Sequence, residues 1–236
     1  MNIVMRIKTL LRRFGWDVVK YHSFWDDIAK PRKIKTILDI GANDGSFAAR
    51  MRKEFPDAHI ISFEPLSEAY GRLTKRMSED KDFESFNMAL GEYSGTATIH
   101  RSASDPSSSL LPMAMLHKKL YPHSAEHTDE VIKIERLEDI LRNVTLEKPI
   151  LVKIDVQGFE AGVIRGGGEI LKKADLVVVE NSFVILYEGQ ALFAEIHNLL
   201  HDLGFTYRGR AEIHYSSATK EPIYEDSVFM KDSVNA

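Results

Sequence analysis

The sequence predicts an α/β fold, a mostly parallel sheet with helices on both faces, and three observations predict it. Short β-branched runs alternate with helical stretches from Lys35 onward. Pro149 to Asp155 (PILVKID) and Ala174 to Glu180 (ADLVVVE) read as buried strands. Thr36-Ile37-Leu38-Asp39-Ile40 is a third such run, and it enters a glycine-bearing turn before a helix that opens at Ser46. Sheets of this kind bind ligands at the carboxyl ends of their strands.

The first thirty or so residues read as helix. Ile3, Ile7, Leu10, Leu11 and Phe14 recur at helical spacing, with Arg6, Lys8, Arg12 and Arg13 around them. Gly15 and Trp16-Asp17-Val18-Val19 suggest a break and a short second element. Such a stripe usually packs on the main domain or on a partner subunit, which leaves room for a homo-oligomer. Peripheral contact with an anionic membrane surface is the alternative. Residues 1–30 are therefore read as a basic amphipathic segment and 31–236 as one domain.

Within that domain, Ser46 to Phe55 reads as helix, His59 to Phe63 as strand, Ser67 to Met77 as helix and Phe83 to Met88 as a third strand. A helix from about Phe159 is interrupted at Gly166-Gly167-Gly168. Residues 95–140 break the alternation with a strand (GTATIHR), a Ser/Pro-rich loop, a short helix (MAMLHKKLY) and a second strand (VIKIE). Long loops inside domains are commonly lids, so a substrate lid is expected at about 100–130. GFTYRGR through SVFMK reads as two antiparallel strands.

Composition narrows the function. With hydrophobic residues at 44% and charged residues at 28%, the chain is neither disordered nor fibrous. Lys+Arg 31 against Asp+Glu 35 leaves a net charge of −4, which argues against a nucleic-acid partner. Cys is 0, so a thiol nucleophile and a thiolate metal site are excluded. No apolar run approaches the roughly 18 residues of a membrane helix, and Arg6, Lys8, Arg12 and Arg13 spoil a signal peptide. The cytoplasm is the expected setting.

The first strand runs into Asp39-Ile40-Gly41-Ala42-Asn43-Asp44-Gly45. Asn43 occupies the second glycine position of a dinucleotide fingerprint, so a pyrophosphate would fit less well, and no Gly-Lys-Ser/Thr follows for a Walker loop. Glu64, nineteen positions beyond Gly45, stands where a carboxylate accepts hydrogen bonds from a ribose diol. Asp39 can hold a ligand ammonium directly or by ordering the loop. A nucleoside with a zwitterionic tail and no phosphates describes S-adenosylmethionine.

At these residues the sequence resembles a class I S-adenosylmethionine-dependent methyltransferase of the FkbM family. The resemblance rests on ILDIGANDGSFA at 37–48, ISFEP at 61–65, FNMALGEYSGTATIH at 86–100 and VKIDVQGFEAGVIRGG at 152–167. It implies a Rossmann-like, seven-stranded, mostly parallel sheet with an antiparallel last strand. It implies O-methylation of a sugar, glycan or secondary metabolite. It also implies that Gly41, Ala42, Asn43 and Gly45 form the cofactor loop, with Asp39 supporting it. Glu64 would take the ribose, Asn87 and Met88 the adenine, and Asp155 would stand beside the transferred methyl. Gln157 replaces a glutamate common at that place, which weakens a metal role there.

A hydroxyl acceptor profits from a positioned base. Asp155 is the first candidate, Glu180 at the end of the next strand the second, and His117 from the insertion the third. Glu160 reads as a first-turn helix carboxylate. Ser107, Ser108 and Ser109 offer hydroxyls to a substrate or form a plain loop, and Ser108 and Ser109 are the candidate substrate contacts. The pairs His197/His201 and His123/His127 have metal-like spacing without a supporting glutamate, so no resident metal is expected; Mg²⁺ orienting a diol is the only metal role left open. The competing readings are a nicotinamide-dependent oxidoreductase, a non-catalytic cofactor-binding scaffold and a nucleic-acid methyltransferase. The last lacks an Asn-Pro-Pro-Tyr or Asp-Pro-Pro-Tyr motif.

Overall fold

A computed structural model describes residues 3–15, 23–103 and 105–231. The element predicted at Trp16 to Val19 lies outside the described residues. The main sheet has seven strands: β1 (Thr36–Ile40), β2 (His59–Phe63), β3 (Phe83–Phe86), β7 (Ile150–Ile154), β8 (Leu176–Ser182), β9 (Phe205–Tyr215) and β10 (Pro222–Lys231). Their order is β3-β2-β1-β7-β8-β10-β9. β10 runs antiparallel to both of its neighbours, β8 and β9, and the remaining contacts are parallel.

β1 is buried at every position, because helices cover both faces. On one face Leu38, Ile40, Ile61, Val152, Ile154, Val177 and Val179 form one cluster. Alternate residues, Ile37, Ile60, Leu151, Leu176 and Val178, join the second cluster on the opposite face. Each such aliphatic contributes about 1.5–3 kcal/mol on burial. The same period of two sends Asp39 and Lys153 to the face of Ile37 and Leu151, and the β1/β7 register sets them directly opposite one another.

The α-helices are α1 (Ile3–Arg13), α2 (Ser46–Glu54), α3 (Ser67–Arg76), α4 (Met115–Leu120), α5 (Leu137–Ile140), α6 (Glu160–Gly166), α7 (Gly168–Leu171) and α8 (Phe193–Asp202), and a π-helical turn spans Phe24–Ala29. The break between α6 and α7 falls at Gly167, as the glycine run predicts. The predicted insertion is more organised than a loop. β5 (Gly95–Ser102) and β6 (His127–Glu135) form a second, three-stranded sheet with the two-residue β4 (Ala89–Leu90), and residues 105–126 lead into β6.

Of the two packings expected for the α1 stripe, the one on the domain is not seen at Ile7, Leu10 and Phe14: all three are exposed, and no described α1 side chain belongs to a core cluster.

Candidate active site

β2, β1, β7 and β8 lie side by side, so their carboxyl ends bring Glu64, Gly41, Asp155 and Glu180 to one edge of the sheet. These four residues line a single cavity of about 300 Å³. That volume is at the lower end of the range for small-molecule sites. Residues 106–110 of the insertion, with His117 and Tyr121 beyond them, close the cavity from above, and Tyr224 of β10 and Leu186 complete its far side.

The loop after β1 is shaped for close approach. Gly41 has φ +82°, and a β-carbon there would stand 1.8 Å from the carbonyl oxygen of Asp155. Only glycine fits. Asn43 also takes the left-handed region, at φ +48°, which asparagine tolerates better than most residues. Its backbone N–H donates to Glu64 Oε2 at 2.8 Å, while Leu66 N–H donates to Glu64 Oε1 at 2.8 Å. The carboxylate is thus fixed at the cavity wall.

Of the predicted cofactor residues, Gly41, Asn43, Glu64 and Met88 line the cavity, and Asp39, Ala42, Gly45 and Asn87 do not. Asn87 is a brace: its amide donates to the carbonyls of Glu64 and Pro65, both at 2.9 Å. Asp39 lies fully buried beneath the loop. Ser62 donates to one of its oxygens at 3.4 Å, and the other has no hydrogen-bond partner. Burial raises its pKa to about 6 against the pull of Lys153.

Asp155 and Glu180 meet through a side chain whose role the sequence alone did not suggest. Gln157 donates to Asp155 Oδ1 at 2.8 Å and to Glu180 Oε1 at 3.0 Å, and its Oε1 accepts from the Tyr187 hydroxyl at 2.9 Å. Gln157 sits at φ +55°, an uncommon conformation for a glutamine and one that tends to be held at functional sites. Lys153 Nζ donates to Asp155 Oδ2 at 2.9 Å from below. The alternation in PILVKID was the available signal, since it puts Lys153 on the face of Leu151 rather than on the surface.

These neighbours drive the two carboxyls apart. Burial alone would raise Asp155, but the charge and hydrogen bond of Lys153, with the Gln157 amide, hold it below its ordinary value. Glu180 is pushed well above its ordinary value by burial, then by the charges of Asp155, Glu160 and Asp226. Asp226 stands directly opposite Glu180 across the β8/β10 ladder and is itself raised to about 6, chiefly by burial. The Lys153 ammonium is stabilised: burial opposes its charge, and Asp155 and Asp39 outweigh burial.

His117 lines the cavity, and neither ring nitrogen has a hydrogen-bond partner. Burial holds its pKa below the ordinary value, so the imidazole is neutral at pH 7. Its ring meets Tyr121 and Tyr187 edge-on, with centroids 5.1 and 5.0 Å apart. Ser108 and Ser109 border the cavity. Ser108 Oγ accepts from Ser102 N–H at 3.0 Å, and Ser109 Oγ donates to the Gln157 carbonyl at 2.6 Å. The Ser109 bond seats the insertion on the loop after β7. Glu160 accepts from Val156 and Gly158 N–H groups at 3.1 and 3.0 Å, in keeping with its reading as a helix-start carboxylate.

The histidine pairs lie elsewhere. His197 and His201 stack on one face of α8, their centroids 6.2 Å apart. Among the described residues, the donor cluster with metal-like proximity is His100, His127 and Asp129 on the second sheet, where His100 Nδ1 already pairs with Asp129 at 2.7 Å.

Comparison with known proteins finds methyltransferases. Residues 39–207 match the family described as "Methyltransferase FkbM domain". The chain is 34% identical to "2-O-methyltransferase NoeI" of Sinorhizobium fredii over 170 residues, which cover 70% of each protein. It is 29% identical to "Methyltransferase sdnD" of Sordaria araneosa, over 79% of this chain and 80% of that one. In three dimensions it is similar to the crystal structure of Methyltransferase FkbM from Methylobacillus flagellatus, with a TM-score of 0.50 and 11% identity. That match covers 84% of this chain and 44% of the longer one.

Proposed function

The chain belongs to the FkbM methyltransferase family, and we propose that it transfers the methyl group of S-adenosylmethionine to a hydroxyl of a sugar, glycan or secondary metabolite. The observation that carries this reading is the row of Glu64, Gly41, Asp155 and Glu180 along adjacent strand ends, opening on one cavity. The 2-O-methyltransferase name of the NoeI relative supports oxygen as the acceptor atom.

The residues present suit this donor. Glu64 is fixed where it can accept from a ribose diol, and Phe63, Leu66 and Met88 offer an apolar wall to a purine. The orphaned oxygen of Asp39 beneath the loop, with Asp155 beside it, makes the floor electronegative. A cationic sulfonium is favoured there, whereas a pyrophosphate would meet repulsion. When bound, S-adenosylmethionine supplies an electrophilic methyl and leaves as S-adenosylhomocysteine.

The chain's own task is to orient the acceptor and to take its proton. Tyr121, Tyr224 and His117 border the insertion side and supply flat and polar edges to a small hydroxylated molecule. Asp155, held charged by Lys153, keeps the donor side negative. Glu180, with its pKa raised, is the better proton acceptor, since a general base works best when its pKa approaches the operating pH. Gln157 fixes the spacing of the two carboxyls and leaves the other oxygen of Glu180 for the acceptor hydroxyl. The proton leaves the acceptor oxygen for Glu180 as the oxygen–methyl bond forms. His117, neutral and unpartnered, accepts from a second hydroxyl of the same molecule.

The test is a methyl-transfer screen with labelled donor over sugars, glycolipids and polyketide-like alcohols. S-adenosylhomocysteine is expected to stabilise the protein by about 2.7 kcal/mol at a hundredfold excess over its dissociation constant. Glu64→Ala should abolish most of that stabilisation. Stabilisation by NAD with none from either sulfur nucleoside would overturn the reading.

A further inference from the structure

α1 carries an apolar face that the rest of the described chain does not cover. Ile7, Leu10 and Phe14 follow one another at intervals of three and four, so they share one side of the helix, and they are 52%, 55% and 73% exposed. Arg12 and Arg13 close its last turn. Gly15, at φ +80°, then ends the helix, and its N–H donates to the Arg12 carbonyl at 3.0 Å. From Ile3 to Gly15 the sequence holds Arg6, Lys8, Arg12 and Arg13 and no carboxylate. The chain as a whole has a net charge of −4, so the excess of acid lies entirely outside this segment.

We propose that α1 is a docking element for an anionic membrane surface. The helix lies in the interface with Ile7, Leu10 and Phe14 turned into the acyl boundary and Arg13, which flanks that face, at the level of the acidic headgroups, while the net positive charge of the segment draws it to the surface. At 11 residues the helix is too short to span a bilayer, and no helix among the described residues is long and apolar enough to do so. Charge selects this occupant over a second copy of the chain. Two such helices packed together add one uniformly basic segment to another, whereas acidic headgroups neutralise that charge. The net-acidic domain is repelled by the same surface, so attachment through α1 holds it off the bilayer. The inference is independent of which hydroxyl is methylated.

The test is co-sedimentation of the full chain with phosphatidylcholine vesicles, with and without phosphatidylserine, at low and high salt. Partitioning onto the anionic vesicles should exceed that onto neutral ones by more than about tenfold and fall as salt is raised. Leu10→Glu/Phe14→Glu and Arg12→Glu/Arg13→Glu should each reduce anionic binding to the neutral-vesicle level, with S-adenosylhomocysteine affinity unchanged as a check on folding. Equal binding to both vesicle types, or to parent and variants, would overturn the proposal. So would a parent that does not bind vesicles and runs as a dimer that Leu10→Glu/Phe14→Glu dissociates, because the face would then be a contact between copies.

Discussion

Lys153 Nζ stands 2.9 Å from Asp155 Oδ2, and this ion pair splits the behaviour of the two carboxyls at the cavity floor. Asp155 is held charged, and Glu180, which feels the charge of Asp155, is pushed toward protonation. Divergent environments of this kind assign acid–base roles within one site.

Replacing Glu180 with Gln should therefore lower kcat by about 10²–10⁴ while leaving S-adenosylhomocysteine affinity within a few-fold of the parent. In the parent, activity should fall on the acid side as Glu180 gains its proton, at a higher pH than for an ordinary carboxyl. Asp155→Asn removes a charge that raises Glu180, so the acid limb should move to lower pH. A profile of kcat/KM against pH for parent and Asp155→Asn decides the matter. An unmoved limb would take the base role away from Glu180.

The ion pair also bears on stability. Both members are largely withdrawn from water, with Lys153 14% and Asp155 28% exposed. Lys153→Met leaves Asp155 and Asp39 without their cation and should cost about 2–4 kcal/mol in urea unfolding. Lys153→Met/Asp155→Asn should lose less than the two single changes summed, and a double-mutant cycle reads that coupling directly.

The strand ends were legible because the chemistry there follows the chain. Gly41 leaves β1 directly, Glu64 leaves β2 directly, and the order of strand, loop, helix and acid survives without coordinates. Tyr187 and Lys153 were not legible as parts of the site, and neither was the bridge that Gln157 makes between its two carboxyls. Tyr187 meets Gln157 thirty positions away, and the Asp39–Lys153 pairing exists only once β1 and β7 are in register. β4 is two residues long and pairs with β6 across the whole insertion, so the second sheet was hidden for the same reason. The period of α1 was plain in the sequence. What covers its stripe depends on surroundings that periodicity does not encode.

Glu160 gives a pH dependence of the opposite kind from that of ordinary surface acids. Burial, against the pull of the Gly158 and Val156 N–H groups, raises it from 4.5 to about 7. The folded protein then holds this proton where the unfolded chain has lost it. The resulting stability is present below about pH 4.5 and is lost as pH rises through 7. A shift of this size corresponds to roughly 3 kcal/mol. Asp39 and Asp226, each raised to about 6, add slopes of the same sign. Urea unfolding from pH 5 to pH 8 should show stability falling with pH, and Glu160→Gln should flatten that fall without removing it. A parent that gains stability steadily over this range would contradict the assignment.

Gln157 offers the sharpest single change, because the isosteric Gln157→Glu inverts a donor without altering volume. The amide nitrogen that bridges Asp155 and Glu180 becomes an oxygen, and three carboxyl groups then face one another. They relieve the repulsion by holding protons or by binding a cation. At pH 8 the variant should be less stable than the parent and should lose most methyl transfer, with much of the stability returning at pH 5. Mg²⁺ or Mn²⁺ should raise its melting temperature at pH 8 by several degrees and leave the parent's unchanged, since a hard cation needs converging oxygens that the parent's amide interrupts. Thermal melts of parent and variant with and without each ion, at both pH values, provide the check. Equal responses would show that Gln157 does not set the charge balance of the floor, and the division of roles between Asp155 and Glu180 would then need another cause.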